Sequence, residues 1–153
     1  MSAGSWSRIP EAPLALFAFL LHFAWEMLQA PAFEGMAEMP HWQAAKLCLS
    51  ATKGDVVIAL AAFWSASLVG RSRRWLARLQ PLPLLVYMAV GLAATVALEL
   101  YHTSITHRWS YSDLMPLVPP FGTGLLPLLQ WLVIPPAALW LAKRHLASER
   151  EHG

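Results

Sequence analysis

The chain is short of charge and almost without cysteine. Only 13% of its 153 residues are Asp, Glu, Lys or Arg, about half the share of a soluble domain. A soluble globular surface is therefore excluded for most of the length. The single cysteine, Cys48, excludes an intrachain disulfide and a CxxC site, and suits a small apolar filler. The net charge of +2 is too small for a nucleic-acid surface, and no basic aromatic stripe accompanies it. What the chain has instead is 57% hydrophobic residues, eight tryptophans and twelve prolines. Trp favours the lipid–water boundary, and Pro is tolerated in membrane helices.

Hydropathy predicts an all-α bundle of four transmembrane helices in one domain, over about residues 12–32, 53–70, 82–102 and 123–142. About 20 residues cross ~30 Å of hydrocarbon at ~1.5 Å per residue. Ala30-Pro31-Ala32 looks like a signal-peptide cleavage site. However, the leader is weakly basic, and His22, Trp25, Glu26 and Gln29 interrupt the apolar core, so the first helix is expected to be retained. Trp42 to Ala51 reads as a short interfacial helix with Trp42 and Leu47 toward lipid. Asp55 suits a helix N-terminus, where a carboxylate caps free N–H groups. Trp6 is expected to anchor at the interface, and Pro135-Pro136 to kink the fourth span.

The basic residues sort by side. Arg8, Arg71, Arg73, Arg74, Arg78, Lys143, Arg144 and Arg150 fall on one side of the four spans, and Lys46, Lys53 and Arg108 on the other. The positive-inside rule then puts both termini in the cytoplasm and the two long loops outside. The Arg71–Arg78 run serves first as a cytoplasmic retention signal, with anionic headgroups as another use.

Polar residues gather toward the outer leaflet. His22, Glu26 and Gln29 share one stripe of the first span at i, i+4, i+7, and a polar stripe on a spanning helix belongs inside the bundle. Asp55, Glu99, His102 and Gln130 occupy similar depths, with Trp25 and Trp131 beside them. Arg108, Trp109 and Tyr111 hang above in the second loop. Together they predict an outward-opening polar pocket. Glu26, Glu99 and His102 are the candidate acid–base groups. His22, Trp25, Gln29, Asp55, Arg108, Trp109, Tyr111, Gln130 and Trp131 are the candidate binding groups. The partners expected are membrane lipid and a small apolar, lipid- or isoprenoid-like molecule, not nucleic acid. Self-association or a place in a membrane complex stays open.

Three uses of such a pocket compete. A structural network could pair Glu26, Glu99 and Arg108, with Gln130 bridging helices. Acid–base chemistry could act on a lipid-soluble molecule between aromatic walls. A metal could bind at Glu99-x-x-His102, although bundle di-metal sites need two such motifs and one is present. Met36, Met39 and His41 suggest a soft metal more weakly still. A small transporter is a further alternative, disfavoured by the scarcity of polar residues in the inner halves beyond Ser65, Ser67 and Thr95.

Glu99, then Arg108-Trp109-x-Tyr111, Met115-Pro116, Gly124-Leu125 and Pro127-Leu128-Leu129-Gln130-Trp131 form a pattern, with Trp25-Glu26 and Gln29-x-Pro31 in the first span. It resembles that of a group of small bacterial polytopic membrane proteins. The resemblance implies a bacterial inner-membrane location and carries no activity. A looser, fold-level analogy joins the chain to sterol-isomerase-like helical membrane proteins, without a residue-by-residue match.

Overall fold

A computed structural model describes residues 9–151. Trp6 and Arg8 lie outside the described residues, as do the side chains beyond Ser148, among them Arg150.

Four helices are long and apolar enough to cross a membrane: Glu11–Ala32, His41–Val69, Pro81–Ile105 and Leu125–Ser148. Helix α1 (Glu11–Gln29) ends in a 3-10 turn at Ala30–Ala32, where Pro31 disfavours continued α geometry. Helix α2 spans His41–Val69 and starts just after Pro40; α3 is the short Trp75–Arg78. Helix α4 (Pro81–Leu100) begins with Pro81 and Pro83 in its first turn, where a missing N–H costs nothing. It passes into a π turn over Tyr101–Ile105. Strands β1 (Leu117–Val118) and β2 (Thr123–Gly124) form a small hairpin leading into α5 (Leu125–Glu151).

The second span differs from the expectation. Residues 42–51 are not a separate interfacial helix, and Asp55 is not at a helix start. One helix runs from His41, through Lys53-Gly54-Asp55, to Val69. Trp42 and Leu47 are exposed on it, as expected for lipid-side residues. Ala44, Cys48 and Thr52 form a buried i, i+4, i+8 stripe, which gives this first half a packing face. In the fourth span the helix continues through Pro135 and Pro136, with Pro135 fully buried.

The spans alternate in direction. Helix α1 packs on α2 and α5, and α4 packs on the same two from the other side. At one end, Glu11 pairs with Arg73, and α3 lies against α5. This is the arginine-rich end. At the other, Phe33 bridges Tyr111, the Glu34 amide donates to the Ser110 carbonyl (3.0 Å), and the Ser112 amide donates to the Ala32 carbonyl (3.0 Å). The two long loops are thereby joined, and this is the loop end.

Small residues line the helix contacts. Ala18, Ala59, Ala62, Ala66, Ala138 and Ala142 are all buried, which lets backbones approach where lipid offers no hydrophobic drive between helices. Leu16, Leu20, Leu28, Val57, Leu68, Leu85 and Leu132 are exposed, as lipid-facing side chains should be. Trp75 plugs the arginine-rich end against Phe63 and Tyr87, with ring centroids 5.7 and 5.9 Å away. Its indole N–H donates to Ser67 Oγ (3.1 Å), so Ser67 serves packing there.

Candidate functional site

The deepest part of the polar cluster is built on Gln130, in the second turn of α5. Its side chain is almost fully buried. Gln130 Nε2 lies 2.8 Å from His22 Nδ1, 3.1 Å from Glu26 Oε1 and 3.3 Å from Asp55 Oδ2. Its Oε1 accepts from Gln29 Nε2 at 3.3 Å. An amide has two N–H bonds, so it can serve two of those three acceptors well at any time. Because Nε2 can only donate, His22 Nδ1 accepts, and the neutral imidazole carries its hydrogen on Nε2. That Nε2 is buried without a hydrogen-bond partner among the described residues.

Helix periodicity puts these groups together. His22, Glu26 and Gln29 lie on one stripe of α1, and Gln29 Nε2 also donates to Glu26 Oε1 (2.9 Å). Trp25, one residue to the side, donates its indole N–H to Gln29 Oε1 (3.0 Å). Asp55 comes from the middle of α2 and approaches His22 Nδ1 at 3.6 Å. Trp131 follows Gln130 on α5 and donates its indole N–H to Asp55 Oδ1 (3.4 Å). A depth-matched Asp55 beside Gln130 was expected; its position within a helix, rather than at its cap, is the correction.

Glu99 is held differently, by the loop. Tyr111 donates its hydroxyl to Glu99 Oε2, and Trp109 donates its indole N–H to the same oxygen at 3.5 Å. Trp109 and Tyr111 thus meet at one carboxylate oxygen. Burial first, then the Glu99 carboxylate, push the Tyr111 phenol above its ordinary value.

Two expected members stand apart. His102 makes no contact with Glu99. Its Nδ1 pairs with Thr106 Oγ1 (3.1 Å), and its ring lies 4.4 Å from that of Trp109. The backbone stays α-helical through Leu100 and Tyr101, and the His102 side chain turns forward along the π turn to Thr106 rather than back to Glu99. Arg108 is exposed and pairs with neither Glu26 nor Glu99; its guanidinium lies 5.7 Å from the Trp109 ring. The Glu26–Glu99–Arg108 pairing therefore does not form. Among the described residues, no three His, Cys, Asp or Glu side chains are grouped as a metal ion would need.

Two glycines, absent from the expected site, make its geometry possible. A Cβ on Gly91 would lie 2.1 Å from Trp131 Cζ3, so only glycine lets that indole cross α4 toward Asp55. A Cβ on Gly124 would meet Met115 Sδ at 2.8 Å and the Tyr111 ring at 3.0 Å. The signal for Gly91 was present in sequence: Tyr87, Gly91, Thr95 and Glu99 repeat at i, i+4, and the first three are buried.

Glu26, Asp55 and Glu99 are half-buried, while His22, Gln29 and Gln130 are buried. An open cleft of about 360 Å³ lies in the joined loops, between Phe33, Glu38 and Asp113, and its walls carry none of the cluster's side chains. Comparison with protein-family models, with curated proteins and with solved structures gave no match to this chain.

Proposed function

We propose that this chain is a multi-pass protein of a bacterial inner membrane that binds a lipid- or isoprenoid-like molecule at its carboxylate cluster and moves protons on it. The positive-inside rule supports cytoplasmic termini and a cluster in the outer half of the membrane. The observation that carries the reading is the donor set. Glu26, Asp55 and Glu99 are held by Gln amides, Trp indoles and a Tyr hydroxyl, never by Lys or Arg, among the described residues. A guanidinium would pin each acid as an anion. Neutral donors leave both protonation states within reach, as general acid–base work requires.

In this reading Glu26 and Glu99 are the proton-transfer pair. Gln130 orients Glu26, and Tyr111 orients Glu99. Trp25, Trp109 and Trp131 supply aromatic walls, and exposed Arg108 meets a headgroup. His102, turned toward Thr106, takes no proton from Glu99. The same missing counter-charge favours one second reading, a small carrier for a cation that neutralises the three acids.

Mass spectrometry of small molecules that co-purify with the protein tests the proposal. A lipid or isoprenoid present in the natural protein and lost from Glu99→Gln and Glu26→Gln supports it. An empty natural protein, or a molecule retained by both variants, overturns it.

A further inference from the structure

The arginine-rich end carries a second surface, remote from the carboxylate cluster. After α2 the chain folds back tightly. The Gly70 amide donates to Ala66 O (2.9 Å), Arg71 to Leu68 O (3.2 Å) and Ser72 to Ser67 O (3.1 Å). Ser72 Oγ then accepts from the Arg74 amide at 3.1 Å. Arg71 sits in the left-handed region at φ +49°. Buried Trp75 and Leu76 fasten the segment under the bundle. The turn is thus fixed by backbone bonds and by burial, and it carries four arginines.

One of the four is already engaged. Arg73 pairs with Glu11 and lies 5.0 Å from the Trp64 ring centroid. Arg71, Arg74 and Arg78 are exposed and meet no carboxylate among the described residues. A second arginine–tryptophan pair, Arg144 at 4.9 Å from the Trp140 ring, comes from α5, against which α3 packs. Trp64 and Trp140 are 45% and 50% exposed, as interface-seated rings would be. The end therefore combines ring-held guanidiniums at the lipid boundary with free guanidiniums on a fixed turn. Arginine forks match phosphate oxygens, and each basic residue near an anionic leaflet strengthens attachment.

We propose that the Arg71–Arg78 turn is a headgroup site for an anionic phospholipid, with Arg71, Arg74 and Arg78 as its phosphate ligands. The acyl chains lie along the exposed apolar faces beside Trp64 and Trp140. The site stands at the opposite end from the carboxylate cluster, so its failure leaves the proposed function intact.

The test titrates the purified full chain in mild detergent with phosphatidylglycerol or phosphatidylcholine and counts bound lipids by native mass spectrometry. Phosphatidylglycerol is expected to bind about tenfold more tightly than phosphatidylcholine. The Arg71→Gln/Arg74→Gln/Arg78→Gln variant should bring the two within about twofold. Replacing the same arginines by Lys should keep most of the preference. Replacing Lys46 and Lys53 by Gln removes two charges from the other end and should leave the preference unchanged. Glycerol 3-phosphate, a headgroup without chains, should not compete. No preference in the natural protein, equal loss in the Arg triple and the Lys46→Gln/Lys53→Gln variant, or effective competition by glycerol 3-phosphate would overturn the proposal. Monodisperse elution of each variant separates lost binding from lost fold.

Discussion

The indole of Trp131 fills the space where a side chain on Gly91 would begin, and from there its N–H reaches Asp55 on a third helix. One missing methyl thus decides whether α4 and α5 can close around the polar cluster.

Gly91→Ala should therefore be costly, unlike most Gly→Ala changes inside helices. The added Cβ cannot be accommodated beside a buried ring without displacing it, and overpacking of this kind costs about 1–3 kcal/mol. Thermal unfolding in detergent should show the loss. The Gly91→Ala/Trp131→Leu double variant should be less impaired than the sum of its parts, because the two residues compete for one volume. Strict additivity would mean the ring does not occupy that space.

Gly54→Ala should behave in the opposite way. Gly54 is within α2, and nothing lies within 4 Å of a Cβ built there. Removing a helix-interior glycine should raise stability by about 0.5–1 kcal/mol. A lowered midpoint would show that α2 needs to bend at Lys53-Gly54-Asp55.

Gln130→Leu should destabilise the bundle more than Gln29→Leu. Every contact of Gln130 crosses between helices, to His22, Glu26 and Gln29 on α1 and to Asp55 on α2, whereas Gln29 crosses only to Gln130 and otherwise bonds Glu26 and Trp25 of its own helix. Hydrogen bonds within membranes contribute roughly 0.6–2 kcal/mol each, so a gap of about 1 kcal/mol or more is expected in detergent unfolding midpoints. Equal effects would indicate that Gln130 is not the hub.

Tyr111→Phe should loosen the loop and spare the helices. It removes the hydroxyl that ties residues 106–124 to Glu99 while keeping the Phe33 ring contact at 5.7 Å. Hydrogen exchange should rise in that loop and stay unchanged in α1 and α2. Alkaline behaviour follows from the raised phenol. Its contribution to stability is fully present below about pH 10, the ordinary tyrosine value. Above that pH the unfolded chain loses the proton and the folded chain keeps it, so stability falls as pH rises. The Phe variant should lack this part of the alkaline fall.

The helical architecture and the four apolar spans were legible in sequence, because hydropathy acts along one helix at a time. Spacing likewise put His22, Glu26 and Gln29 on one stripe, but the amide that gathers them with Asp55, Gln130, comes from across the bundle. The π turn was not legible. It brings Thr106 to His102, which pairs there rather than with Glu99. Asp55 misled for a related reason: Lys53-Gly54-Asp55 reads locally as a helix start, but the buried Ala44, Cys48 and Thr52 stripe holds the preceding residues in the same helix. Arg108 looked like a counter-ion because it follows Glu99 in the loop on the same side of the spans. Its guanidinium lies instead beside the Trp109 ring, 5.7 Å from the centroid.

Gln130 is also the last of its partners to leave the ribosome. While α1, α2 and α4 are being inserted, Glu26 and Asp55 have no cross-helix amide, and Glu99 waits for Tyr111, twelve residues downstream. Lipid alone would have to tolerate Glu26 and Asp55 until α5 arrives. A nascent chain halted before Gln130 should thus be a substrate for membrane quality control, and release past that residue marks the moment at which assembly can finish.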